Sequence, residues 1–186
     1  PQDNAYLATG PVGRLLLKFS VPCVLSMLVS ALYNIVDQVF IGQSVGYLGN
    51  AATNVVYPFT VVALALALLV GDGAAALLSL SLGKGDEETG RRCVGYAAVL
   101  IVVVGIVLMT VGFVWMDPLL RLFGVTEASY AYAYEYFQVI LLGIPFYVFA
   151  SGMNSTIRAD GAPGYSMFAT VLGAVLNLIL DPAVSY

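Results

Sequence analysis

The sequence predicts an all-α membrane protein, a polytopic bundle of transmembrane helices. Three observations lead there. Of the 186 residues, 60% are hydrophobic and only 10% charged, and the mean hydropathy is +0.92, whereas a soluble domain carries roughly 25% charge and 45–50% apolar residues. The few charges are segregated, leaving five charge-free runs at 19–36, 38–71, 93–116, 136–157 and 161–180. The runs are continuously apolar and do not alternate with period two, which selects helices over barrel strands.

A helix needs about 20 apolar residues to cross a ~30 Å hydrocarbon core. The three longest runs reach this unaided, and the other two continue through Asp37 and Asp181. The expected spans are about 15–42, 51–83, 93–116, 132–157 and 164–186. The first is too long, and starts too deep in the chain, for a cleaved signal peptide. The second covers about 48 Å of helix, more than the core needs, so it should tilt, bend or project; Pro58 and Gly71-Asp72-Gly73 are the expected bends. Pro22 and Pro145 fall inside the first and fourth spans.

Between the spans, 42–50 reads as a Gly/Ser/Asn turn and 83–92 as a hydrophilic loop. Residues 117–129 read as an outer segment with a short interfacial helix at 118–123, and 158–164 as a tight turn. Arg14, Lys18, Lys84, Arg91, Arg92 and Arg158 fall on one side of alternating spans and Arg121 alone on the other. The positive-inside rule therefore puts the N-terminus of this multi-pass protein in the cytoplasm.

Composition also excludes function classes. There is no His, which removes His-based acid–base catalysis and most zinc sites. Cys23 and Cys93 lie far apart in apolar surroundings, which argues against a disulfide framework or a cysteine metal cluster. No nucleophile–base pair is visible, so no enzyme is expected and no cofactor. Seven basic against eleven acidic residues give a net charge of −4, which disfavours nucleic acid as a partner.

The informative residues are charges inside apolar runs, because an ionised carboxylate in hydrocarbon must face a cavity, a partner or a pathway. Tyr33 and Asn34 precede Asp37 by four and three residues and share its helical face. Asn177 stands likewise to Asp181. Asp37 lies about 28 Å of helix beyond Lys18, and Asp181 about 27 Å beyond Pro163. Both helices run outward, so the two carboxylates sit at matching depth. Such a pair can titrate at ordinary pH, because burial and a like charge raise one pKa. Alternatively, Asp37, Asn177 and Asp181 can supply oxygens for Na⁺. Tyr130, Tyr132, Tyr134 and Tyr136 cluster where the fourth span begins, as an interfacial belt or as a cavity wall shared with Phe146 and Tyr147.

At these residues a family resemblance emerges. Leu32-Tyr33-Asn34-Ile35-Val36-Asp37-Gln38-Val39-Phe40-Ile41-Gly42 resembles the first-helix motif of the MATE (multidrug and toxic compound extrusion) transporters. Leu176-Asn177-Leu178-Ile179-Leu180-Asp181-Pro182 resembles their fifth-helix motif. Leu82-Gly83-Lys84-Gly85-Asp86 and Arg158-Ala159-Asp160-Gly161 are similar to the family's loops before helices three and five. The resemblance implies a secondary antiporter expelling cationic, lipophilic organic compounds in exchange for H⁺ or Na⁺, with twelve helices in two lobes. It implies an ion-coupling set of Asp37, Asn154, Asn177 and Asp181, with Tyr33, Asn34, Tyr136 and Phe146 as cavity candidates and Pro22 as a hinge. Asn154 enters through the resemblance alone; depth leaves it nearer the cytoplasm. The whole of 1–186 then corresponds to an N-terminal lobe whose partners are the bilayer, the substrate and a C-terminal lobe; helix six and that second lobe are expected to lie outside this chain. The alternatives are a lipid-linked oligosaccharide flippase of the same superfamily, disfavoured by the lack of Lys or Arg at mid-membrane depth, and a non-transporting membrane subunit, which leaves two depth-matched carboxylates without a purpose.

Overall fold

The computed structural model describes residues 11–44 and 46–184, and within them the side chains of 37, 41, 44 and 177–184 lie outside the described set. Six helices follow one another: α1 Val12–Ser44, α2 Tyr47–Gly83, α3 Glu87–Val114, α4 Met116–Leu122, α5 Tyr130–Ala159 and α6 Pro163–Val184. Four of them, α1, α2, α3 and α5, contain segments long and apolar enough to cross a membrane. The 22 residues of α6 rise about 33 Å, enough for a fifth crossing.

Those four helices are longer than the charge pattern indicated, because charges mark the edge of hydrocarbon while backbone hydrogen bonding carries the helix on into water. The largest correction is at α3. Residues 83–92 are not a loop: helix resumes at Glu87, and the turn shrinks to Lys84-Gly85-Asp86, where Gly85 adopts φ 75°. Asp86 caps α3, its Oδ1 accepting the Thr89 N–H at 3.1 Å. Glu87 and Glu88 occupy the first turn, where carboxylates favour the positive end of the helix dipole, and Arg92 pairs with Glu88 at 2.5 Å. The hydrogen bond from Thr89 holds the Asp86 carboxyl below its ordinary pKa of 3.8. The turn at 42–50 is likewise shorter, since α1 runs to Ser44 and α2 begins at Tyr47. The expected interfacial helix is present as α4, separated from α3 only at Trp115, which is 56% exposed.

The chain divides into two units, 1–40 with 157–186, and 41–156. In the second, α2, α3 and α5 pack through stripes spaced three and four apart. Ala52, Val56, Phe59, Ala63, Ala67, Gly71 and Ala74 line α2; Ala97, Ile101, Gly105, Leu108 and Gly112 line α3; Ala133, Phe137, Leu141, Ile144, Val148 and Gly152 line α5. Small residues at these positions let backbones approach, which is how helices cohere where lipid removes the hydrophobic drive. At Gly71 a Cβ would lie 2.7 Å from the Cα of Gly152. At Gly105 it would lie 2.8 Å from the Cα of Pro145. Phe59 meets Phe137 edge-on at 5.1 Å. α2 runs without interruption through Pro58 and the Gly71-Asp72-Gly73 segment; Gly71 is a packing contact, and Asp72 is exposed.

In the first unit, Lys18 and Pro22 of α1 and residues 161–165 and Phe168 of the turn and α6 line one groove of about 620 Å³. The turn is closed by backbone bonds from Gly161 N–H to Arg158 O and from Ala162 N–H to Ile157 O, at 3.2 and 3.4 Å. Gly161, at φ 84°, supplies its left-handed residue.

Candidate functional site

On α1, Pro22, Tyr33, Asn34 and Asp37 lie within one continuous helix. Tyr33 is half-buried and Asn34 exposed. The Asn34 amide donates to the Ser30 carbonyl at 2.7 Å, so its nitrogen is committed to its own helix and its oxygen is what it can offer a ligand. Pro22 cannot donate to the Lys18 carbonyl; its own carbonyl accepts the Ser26 hydroxyl at 2.8 Å. Asn177 and Asp181 are helical residues of α6. The side chains of Asp37, Asn177 and Asp181 lie outside the described residues, so the backbone alone bears on their relation.

That relation is one of level. Lys18 and Pro22 line the same groove as Tyr165 and Phe168, so this groove is a convenient point from which to count along both helices. From Pro22 to Asp37 the rise is about 22 Å, and from Phe168 to Asp181 about 20 Å. The two acidic positions thus stand nearly equally far from a shared reference point. The Thr170 hydroxyl, on the same side of the α6 sequence pattern as Asn177, donates to the Ser166 carbonyl at 3.0 Å.

The other candidates belong to α5 in the second unit. Asn154 and Tyr136 are half-buried, and Phe146 is 79% exposed. Tyr136 and Asn154 are separated by about 27 Å of helix rise, so they stand toward opposite ends of α5. Of the tyrosine cluster, Tyr130 has a structural role: its hydroxyl donates to Asp117 of α4, and its ring stacks on Tyr134 at 6.0 Å, which pins the short helix to the start of α5. Among the described residues no group of three or more Cys, Asp or Glu side chains is placed to hold a metal.

The MatE family model matches residues 22–183. This chain belongs to the MatE family. Its relatives include the FAD transporter of Shewanella oneidensis, 28% identical over 97% of this chain and 40% of that protein. The multidrug export protein MepA of Staphylococcus aureus is 27% identical over 95% of this chain and 39% of that protein. A solved structure of the MATE multidrug transporter DinF-BH superposes with a TM-score of 0.88 at 34% identity, covering 92% of this chain and 39% of that one. The chain therefore spans about 40% of the length of the curated relatives it matches. Membership in the MatE family, together with the apolar helices, makes it a multi-pass membrane protein.

The sequence reading missed the groove at Lys18 and Phe168. Its signal was present in the Gly-Ala-Pro-Gly-Tyr turn at 161–165, but only the fold shows that the first helix passes beside it.

Proposed function

We propose that this MatE chain forms the ion-coupling part of a secondary antiporter that exports cationic or lipophilic organic compounds in exchange for H⁺ or Na⁺. The observation that carries the reading is the pair of acidic positions at one level on α1 and α6, in a chain whose relatives include a multidrug export protein. Asp37 and Asp181 take up the coupling ion, with Asn177 one turn below Asp181 contributing an amide oxygen. Tyr33 and Asn34 on α1 are candidates to face the transported compound, as are Tyr136 and Phe146 on α5, and Pro22, where a backbone hydrogen bond is missing, lets α1 bend. Alternating access in such carriers rocks one bundle against another about a shared site, so the activity belongs to the assembled transporter. The membrane is the prokaryotic plasma membrane, with the N-terminus and the Lys84–Asp86 turn in the cytoplasm.

A second reading is export of an anionic aromatic compound, favoured by the FAD transporter among the relatives. It is disfavoured by the absence of Lys and Arg from the five apolar runs. Dye efflux from cells or liposomes, with Na⁺ and pH gradients imposed separately, tests both. Asp37→Asn should abolish gradient-driven efflux of a cationic dye while leaving insertion intact, and Asp181→Asn should add nothing further. Wild-type efflux by Asp37→Asn would refute the coupling role, and flavin but not cation export would favour the second reading.

A further inference from the structure

We propose that Asp72 of α2 is a recognition residue for the exported organic cation, a carboxylate met on the way in from the Gly83 end of the helix. The proposal rests on the transport reading and adds a residue which that reading leaves unused. Asp72 is the only charge in 38–83. A carboxylate set against hydrocarbon is costly, so one inside an apolar helix faces a cavity, a partner or a pathway. The packing of α2 decides which sides are closed to it. With about 100° of rotation per residue, Gly71 lies one such step from Asp72 and meets Gly152 of α5. Leu78 and Ser81, which meet Gly90 of α3, lie about 120° and 180° away. Asp72 therefore points away from both helices that α2 packs against, and away from Arg91 and Arg92 at the start of α3. It is exposed, and among the described residues no hydrogen bond or ion pair reaches it.

The surface around Asp72 is asymmetric. Toward the end of the helix, the residues within about 40° of its direction are Ala76, Ser79 and Gly83, all small and all exposed. Gly73 beside it adds no side chain, and a Cβ there would meet nothing within 4 Å. One turn the other way stand Leu68 and Leu69, the latter 71% exposed. Leu77 and Leu80, 56% and 61% exposed, give the adjoining strip of α2 an apolar surface. A shelf of small residues thus runs about 16 Å from Gly83 to the carboxylate and is closed beyond it by leucine. Lipid suits the leucine strip but not a shelf that ends on a negative charge. No Lys or Arg occurs in 38–83, so this stretch carries no counter-ion of its own. An organic cation whose charge meets Asp72 and whose apolar part lies along the shelf matches both zones. The Gly83 end is the one that the transport reading puts in the cytoplasm, so the approach runs in the direction of export.

The test uses the full-length transporter in inverted membrane vesicles and follows gradient-driven uptake of ethidium, a permanent aromatic cation. Asp72→Asn should raise KM about tenfold, the loss of one charge-assisted contact, with kcat and the dependence on the Na⁺ or pH gradient as in the wild type. Asp72→Glu should retain most of the affinity. Ala76→Leu, which fills the shelf one turn from the carboxylate, should raise KM as well, while Leu77→Ala on the adjoining strip should not. An unchanged KM in Asp72→Asn would overturn the proposal and show a carboxylate that is merely solvated. So would a fall in kcat at unchanged KM shared by Asp72→Asn and Asp72→Glu, which means a contact with a basic group elsewhere in the transporter. Absence of ethidium uptake by the wild type would remove the transport reading and this proposal with it, whereas wild-type uptake with a KM independent of Asp72 removes this proposal alone.

Discussion

Replacing Gly71 by Ala while replacing Gly73 by Ala in a parallel variant isolates the cost of separating two helices. At Gly71 the added Cβ would sit 2.7 Å from the Cα and 2.9 Å from the carbonyl carbon of Gly152, with the carbonyl oxygen closer still. Carbon atoms rest at about 3.5–4.0 Å, so α2 and α5 must part by about 1 Å at this level. The neighbours are backbone and cannot swing aside. Gly152 is itself wedged: a Cβ there would lie 2.6 Å from Ile101 Cδ1 and 3.0 Å from the Ala67 carbonyl oxygen, so the shift spreads to α3. Overpacking of this kind costs about 1–3 kcal/mol. At Gly73 an added Cβ meets nothing within 4 Å. Both sites lie inside the same helix, so the gain of up to about 1 kcal/mol in helix propensity is common to the two variants and cancels in the comparison. With about 2–4 °C of midpoint per kcal/mol for a chain of this size, Gly71→Ala should melt roughly 2–12 °C below Gly73→Ala. Thermal unfolding in one detergent, followed by far-ultraviolet circular dichroism, gives the difference directly. Equal midpoints, or a higher one for Gly71→Ala, would refute the reading of this position as a helix–helix contact.

Phe137→Ala should be among the most damaging single changes in the second unit, by about 3–5 kcal/mol, because Phe137 is fully buried and meets Phe59 edge-on; the same melts measure it. The cap at Asp86 should show in pH dependence. Its carboxyl is held below 3.8 by the Thr89 hydrogen bond, so its contribution is fully present above that pH and is lost as pH falls through the lower folded value. Amide exchange at the start of α3 should rise over that acid window in the wild type, while Asp86→Asn, which still caps but does not titrate, should show no such step. Finally, a single cysteine at Gly85 should react with an impermeant thiol reagent in inside-out vesicles and not in intact cells; the reverse would overturn the assigned orientation.

The helices were legible because charge is nearly forbidden in hydrocarbon: four of the five uncharged runs supply most of one long helix each, and the fifth, 38–71, covers the end of α1, the turn and most of α2. What was not legible was how the helices touch. Gly71 beside Asp72 and Gly73 looks like a place to bend, and only the face on which Gly71 falls, opposite Gly152, makes it a contact. In helices apolar all round, periodicity hardly distinguishes the inner from the outer stripe, so small residues had to be placed by the fold. The early start of α3 was readable in principle, since Asp86 followed by Glu87, Glu88 and Thr89 is a helix-start pattern; reading the charges as a loop obscured it. For the candidate site, the sequence supplied the depth match of Asp37 and Asp181, and the groove gives both helices a common origin from which to count. It supplied no reason to place Asn154 beside them, because depth along α5 sets that residue at the other end from Tyr136.

The turn at Lys84–Asp86 sits at the tip of two helices that stay in contact almost to their ends, with Gly90 against Leu78 and Ser81 and Cys93 beside Ala74. The nine residues of α2 after Ala74 carry the tip about 14 Å beyond that contact. The hairpin is in effect a short stiff mast. An added Cβ at Gly83 or Gly85 meets nothing within 4 Å, and neither residue is packed. A reporter fused there would be held by two helices instead of a slack loop, and its orientation would register any tilt of the three-helix unit beneath it.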